Sequence, residues 1–147
     1  MSVLAAERGT APAWATLADF RSPAAIEFFA TREGISLEHA EEYFVEVMKF
    51  LFLVRMFPKD KLTPSVRLDE MWHAFILQTK DYERFSKLLG RFIHHSTTFI
   101  PQVCAYNNAL GRYRQAFGTP PCVWSSAVGE CEVDDGDTSD PGGCATE

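Results

Sequence analysis

The chain has 147 residues, 46% hydrophobic and 13% aromatic, and a formal net charge of −6. That length supports one domain with an appendage and can bury a core without covalent staples. Residues 1–117 are close to neutral and the seven acids beyond them carry the negative charge, so there is no basic footprint for nucleic acid, and no apolar run is long enough for a membrane span.

Residues 1–20 are Ala-rich, with Gly9 and Pro12, and read as a loose lead-in. Glu7 and Arg8 interrupt any secretory-type apolar run there. Ser22-Pro23 is an N-cap followed by proline at the first helical position, and Gly34 is a suitable stop, so a short helix is expected over 23–33. Ser36 caps the next helix, with Glu38, Glu41 and Glu42 near its positive end. That helix should run to about Phe57 and stop at Pro58. Its second half is apolar on nearly every side, the mark of a central helix.

Ser65 caps a third helix expected to run unbroken to about Leu89, where Gly90 ends it. Leu68, Met71, Trp72, Phe75, Thr79, Tyr82, Phe85 and Leu89 fall along one side. A second strip carries Asp69, His73, Ile76, Leu77 and Lys80, which places His73 between two packed faces. Residues 97–100 read as a short extended piece. A fourth helix follows to Phe117, with Tyr106, Leu110, Tyr113 and Phe117 at helical spacing. Pro120-Pro121 forbids its continuation, and Trp124 is a candidate anchor back on the core. Residues 125–147 are acidic and poor in large apolar side chains, a composition that cannot offset its own ordering entropy. No segment alternates over strand length. The expected fold is therefore all-α: a bundle of four or five helices over 21–124 with a disordered acidic C-terminal tail.

Three of the four histidines lie within residues 73–95. Asp69 and His73 are one helical turn apart, and His95, with His94 as an alternate, returns after the Gly90 stop. One reading is a two-histidine, one-carboxylate metal site for a divalent ion such as zinc or iron, with open positions for substrate. The other is structural: Asp69 accepts a hydrogen bond from His73, and His95 ties the following loop to the bundle. Trp72 reads as core, and the Tyr82 hydroxyl is placed to meet His95 if the loop folds back. His39, on the Glu-rich start of the second helix, reads as a solvated surface residue. Cys104, Cys122, Cys131 and Cys144 match no zinc-finger spacing. Cys104 reads as a small buried hydrophobe, and a reduced, cytoplasmic chain is the default expectation.

The stretch from Leu68 to His73, Asp69-Glu70-Met71-Trp72-His73 at its heart, with Tyr82 and Gly90-Arg91-Phe92-Ile93-His94-His95, resembles the glycine-rich domain-containing protein-like family, its small bacterial-type members most closely. The resemblance covers residues 36–117, and its specific part is 68–95. Asp69, Trp72, His73, Tyr82, Gly90 and His95 match the family pattern. His94 falls where some relatives carry an acid. Phe75 replaces the second histidine of a W-H-x-H stretch, which removes one candidate ligand. The resemblance implies an all-helical domain with a shared polar cluster, and it supplies no reaction.

Together these features point to a small helical module that binds a protein or small-molecule partner, with its cluster at Asp69, Trp72, His73, Tyr82, His94 and His95. The first competing reading is a metal-dependent enzyme in which Asp69, His73 and His95 hold the ion and Tyr82 supplies a proton or hydrogen bond. The second is a carrier domain that presents the Cys-bearing tail.

Overall fold

The computed structural model describes residues 11–95 and 103–125. The extended piece expected at 97–100 and the acidic tail beyond Ser125 lie outside these. Six α-helices and one 3-10 turn make up the described residues, with no strand among them: α1 (Trp14–Leu17), α2 (Pro23–Glu33), α3 (Leu37–Met56), α4 (Val66–Leu77), α5 (Thr79–Leu89), α6 (Val103–Phe117) and the turn Cys122–Trp124. The fold is all-α.

Local chemistry sets the helix ends. Ser22, Ser36 and Ser65 each accept a hydrogen bond from the backbone N–H three residues on, which satisfies one of the orphan donors at a helix start. Ser22 does more: its hydroxyl also donates to Asp81 on α5 at 2.6 Å and holds that carboxyl below its usual range. Gly34 and Gly90 end α2 and α5 in the left-handed conformation, at φ 70° and 89°. At each, the glycine N–H and the next N–H converge on one carbonyl, Ala30 and Ser86 respectively, and this turns the chain back.

The core is centred on α3, which packs against α1, α2, α4, α6 and the 3-10 turn. Phe44, Met48, Leu51 and Leu53 of α3 are fully buried. Phe20 lies among Phe44, Phe75 and Phe85, joining three segments through ring contacts at 5.4–6.4 Å. The end of the lead-in expected to be loose takes part in this core. Leu17 is fully buried, and Trp14 meets Phe52 and Phe117 edge-on.

The third predicted helix is two helices. The chain breaks at Gln78 (φ −91°, ψ 77°), whose N–H closes a tight turn onto Phe75 O. Neither glycine nor proline marks the break. Packing supplies the reason. Ten residues along a straight helix separate two side chains by about 15 Å. Yet Phe75 and Phe85 sit 5.5 Å apart, ring to ring. Only a chain that folds back at Gln78 brings Tyr82, Phe85 and Leu89 to the core that Phe75 already occupies.

Candidate functional site

The same break builds the polar cluster. Trp72 and Tyr82 are also ten residues apart, and the indole Nε1–H of Trp72 donates to Tyr82 Oη at 3.1 Å. Tyr82 Oη in turn donates to the carbonyl of Ile93 at 2.6 Å. Both aromatic residues are buried, at 8% and 2% exposure. Burial pushes the Tyr82 phenol up to about 12, and the Trp72 hydrogen bond opposes only part of that rise. A neutral hydroxyl that donates and accepts at once is thereby fixed.

Beyond Gly90 the chain packs on α4 and α5 through Asp69 and Tyr82. His95 Nε2 lies 2.9 Å from Asp69 Oδ1, and both side chains are largely buried. The His95 ring meets the Trp72 indole edge-on, at 4.3 Å between centroids. Ile93 is buried, while Phe92 and His94 point outward, their rings tilted against each other with centroids 4.8 Å apart. Phe92 also lies 5.2 Å from the Tyr82 ring. Below the segment, Arg55 from α3 donates from Nε to Leu89 O at the end of α5. A Cβ at Gly90 would meet the Arg55 guanidinium at 3.5 Å, an ordinary contact, so it is the left-handed φ of 89° that favours glycine there.

The geometry corrects three expectations about partners. Asp69 bonds His95, not His73. His73 is exposed rather than held between two packed faces, and its ring stands 5.9 Å from that of His95. Tyr82 meets Trp72 and the Ile93 carbonyl, not His95. Asp69, Trp72, His73, Tyr82 and His95 do converge, whereas His94 faces solvent. Beside Asp69, burial and then the Glu33 carboxylate raise the Glu70 carboxyl above its usual range. Among the described residues, no three His, Cys, Asp or Glu side chains are placed to share a metal ion. The arrangement orients one imidazole with one carboxylate and binds a loop backbone through one phenol.

The sequence reading missed a second buried network, at the middle of α3. Glu46 is 7% exposed, and its Oε1 accepts from Tyr113 Oη at 2.7 Å and Trp124 Nε1 at 3.0 Å. Lys49 reaches Glu46 Oε2 at 3.3 Å and Tyr113 Oη at 3.2 Å. Burial and the Glu46 carboxylate raise the Tyr113 phenol far above its usual value. Ser65 Oγ donates to Val123 O, and Tyr106 Oη donates to Trp124 O, so the 3-10 turn is held at three points. A cleft of about 530 Å³, lined in part by Arg21, Glu38, Glu41, Glu42, Glu46 and Val123, opens beside this network. The available signal was a charged pair, Glu46 and Lys49, inside the otherwise apolar stretch from Val45 to Val54.

The cysteine expectation also falls. Cys104 is exposed, not a buried hydrophobe, and Cys104 and Cys122 are both disulfide-bonded rather than reduced. No helix among the described residues is long and apolar enough to cross a membrane.

No curated protein and no solved structure matches the chain. One family model does, though not under the glycine-rich name that the Leu68–His95 motif suggested. That model spans residues 15–117, from α1 to the end of α6, and includes every residue of the Asp69–His95 cluster. The chain belongs to the UCP032817-like family.

Proposed function

We propose that this protein is a small helical binding module whose Asp69, Trp72, Tyr82 and His95 build a recognition surface rather than perform a reaction. The observation that carries this reading is the alternation after Gly90. Ile93 and His95 are drawn inward by Tyr82 and Asp69, so Phe92 and His94 are held outward. An exposed aromatic on a fixed backbone is a low-entropy anchor for a partner. Phe92 is 48% exposed and rests on Tyr82, so its ring is oriented before any partner arrives.

The metal-dependent reading is not favoured, because Asp69 already engages His95 and no third ligand joins them among the described residues. The test is site-specific photo-crosslinking in source cells, with the reactive residue at position 92 and, as control, at exposed Leu77. A discrete adduct from position 92 that is absent from position 77, and lost in Tyr82→Phe, is the expected result. Equal labelling from both positions defeats the reading. A chelator that lowers the melting temperature of the wild type, and not of His95→Ala, restores the metal alternative.

A further inference from the structure

α4 packs inward on α2, α3, α5 and the 3-10 turn. Val66, Glu70, His73 and Leu77 lie on its other side, at steps of four, three and four residues. At 3.6 residues per turn these four fall within an arc of about 60°. Val66 and Leu77 are 43% and 53% exposed, His73 is exposed, and Glu70 is half-buried. Among the described residues, neither Glu70 nor His73 makes a hydrogen bond or an ion pair. Burial and the Glu33 carboxylate also disfavour the charge on Glu70, which an outside cationic or N–H donor would relieve. The alternating steps are those of a helix–helix seam. The order along the seam is apolar, acid, imidazole, apolar, so a copy laid in the opposite direction complements it at every position.

We propose that the outward side of α4 is the face by which two copies of this chain pair, helix antiparallel to helix, about a two-fold axis between Glu70 and His73. Val66 of one copy then lies opposite Leu77 of the other, and Glu70 opposite His73. The two-fold makes each contact twice. A parallel pairing sets Glu70 against Glu70 and His73 against His73, so the polar pair also fixes the direction. The neighbouring helix offers no such seam: α5 exposes Lys80, Arg84 and Lys87 along one side, which repels its own copy. Four side chains per copy fall short of the roughly 800 Å² per partner of a standard interface, so the dimer is weak, with a Kd on the order of 100 µM. The pairing uses neither Phe92 nor His94, so it and the recognition surface stand or fall separately. A crosslinker at position 77 captures a second copy of the chain, and the identity of the captured chain tells that adduct from one formed at position 92.

Sedimentation velocity of the full chain over about 10 µM to 1 mM reads the pairing, and the average mass should climb toward that of two chains. Leu77→Asp should raise the Kd at least about tenfold, whereas Leu88→Asp, at a comparably exposed apolar site on α5 (42%), should leave it unchanged. Charge exchange tests the direction. His73→Glu sets a glutamate against Glu70, and Glu70→Lys sets a lysine against His73, so each variant alone should remain monomeric. Their equimolar mixture should pair again, because the introduced lysine faces the introduced glutamate while the native His73 of one copy faces the native Glu70 of the other. Far-ultraviolet circular dichroism checks that each variant is folded, and recovery in the mixture excludes misfolding as the cause of the loss. A wild-type chain that stays monomeric throughout leaves this face to a different protein and overturns the proposal. So does a dimer that Leu77→Asp leaves intact, or a mixture of the two charge variants that does not pair.

Discussion

Replacing Tyr82 with phenylalanine removes one oxygen and keeps the ring. Contacts of the ring with Phe75 at 4.9 Å and Phe92 at 5.2 Å survive the change. What is lost is the shared partner of two buried groups, the Trp72 Nε1–H and the Ile93 carbonyl. A buried polar group left without a partner costs about 1–3 kcal/mol. Two such groups, less the desolvation that the absent hydroxyl no longer incurs, give a loss of about 2–4 kcal/mol for Tyr82→Phe. Urea unfolding followed by far-ultraviolet circular dichroism measures it, and the m-value should not change, because no surface is newly exposed. The cause is isolated by a double-mutant cycle with Trp72→Phe. Once Trp72 has no N–H to satisfy, Tyr82→Phe should cost at least about 1 kcal/mol less than in the wild type. A wild-type loss under about 0.5 kcal/mol, the scale of surface changes, would refute the reasoning. So would an unchanged loss in the Trp72→Phe background.

Other consequences are open to the same assays. Trp72→Ala should cost about 3–5 kcal/mol, since it removes a large buried ring together with the donor to Tyr82. Glu46→Gln exchanges a charged acceptor of three hydrogen bonds for an amide and should cost about 2–3 kcal/mol, with a red shift in tryptophan emission as Trp124 loosens. Stability should fall between about pH 10 and 12: the folded pKa of Tyr82 lies above its unfolded value, so its contribution is complete below about pH 10 and is lost as the folded group ionises. By linkage that loss is about 2–3 kcal/mol, with Tyr113 and Tyr106 steepening it, and stability that stays flat across this range would contradict the burial of all three phenols. Glu70→Gln should raise the melting temperature at pH 7 and lose that advantage in mild acid, because burial and Glu33 disfavour the charged carboxylate.

Helix ends were legible because capping is a local matter. Ser22, Ser36, Ser65, Gly34 and Gly90 each act within a few residues of themselves, and each does what its type and position imply. The break at Gln78 was not legible, since Leu77-Gln78-Thr79 carries no stop signal. It is imposed by the core that Phe75 and Phe85 share. The motif located the right place, Asp69 to His95, but assigned the wrong pairs. Asp69 had His73 one turn away and His95 across a loop, and spacing favours the near neighbour while the return path after Gly90 favours the far one. Glu46 was hidden for a related reason: its partners Tyr113 and Trp124 lie 67 and 78 residues on.

That separation has a bearing on how the protein is made. The central helix contains a carboxylate whose partners emerge from the ribosome 67 and 78 residues after it. Until then the apolar flank of α3 around Glu46 has no cover, and the carboxylate must stay in water, which keeps that flank from closing prematurely. Arrival of Trp124 ends the delay, so the last described turn of the polypeptide completes the packing around its longest helix. A nascent chain halted short of that tryptophan should be protease-sensitive along α3, and one extended past it should be protected.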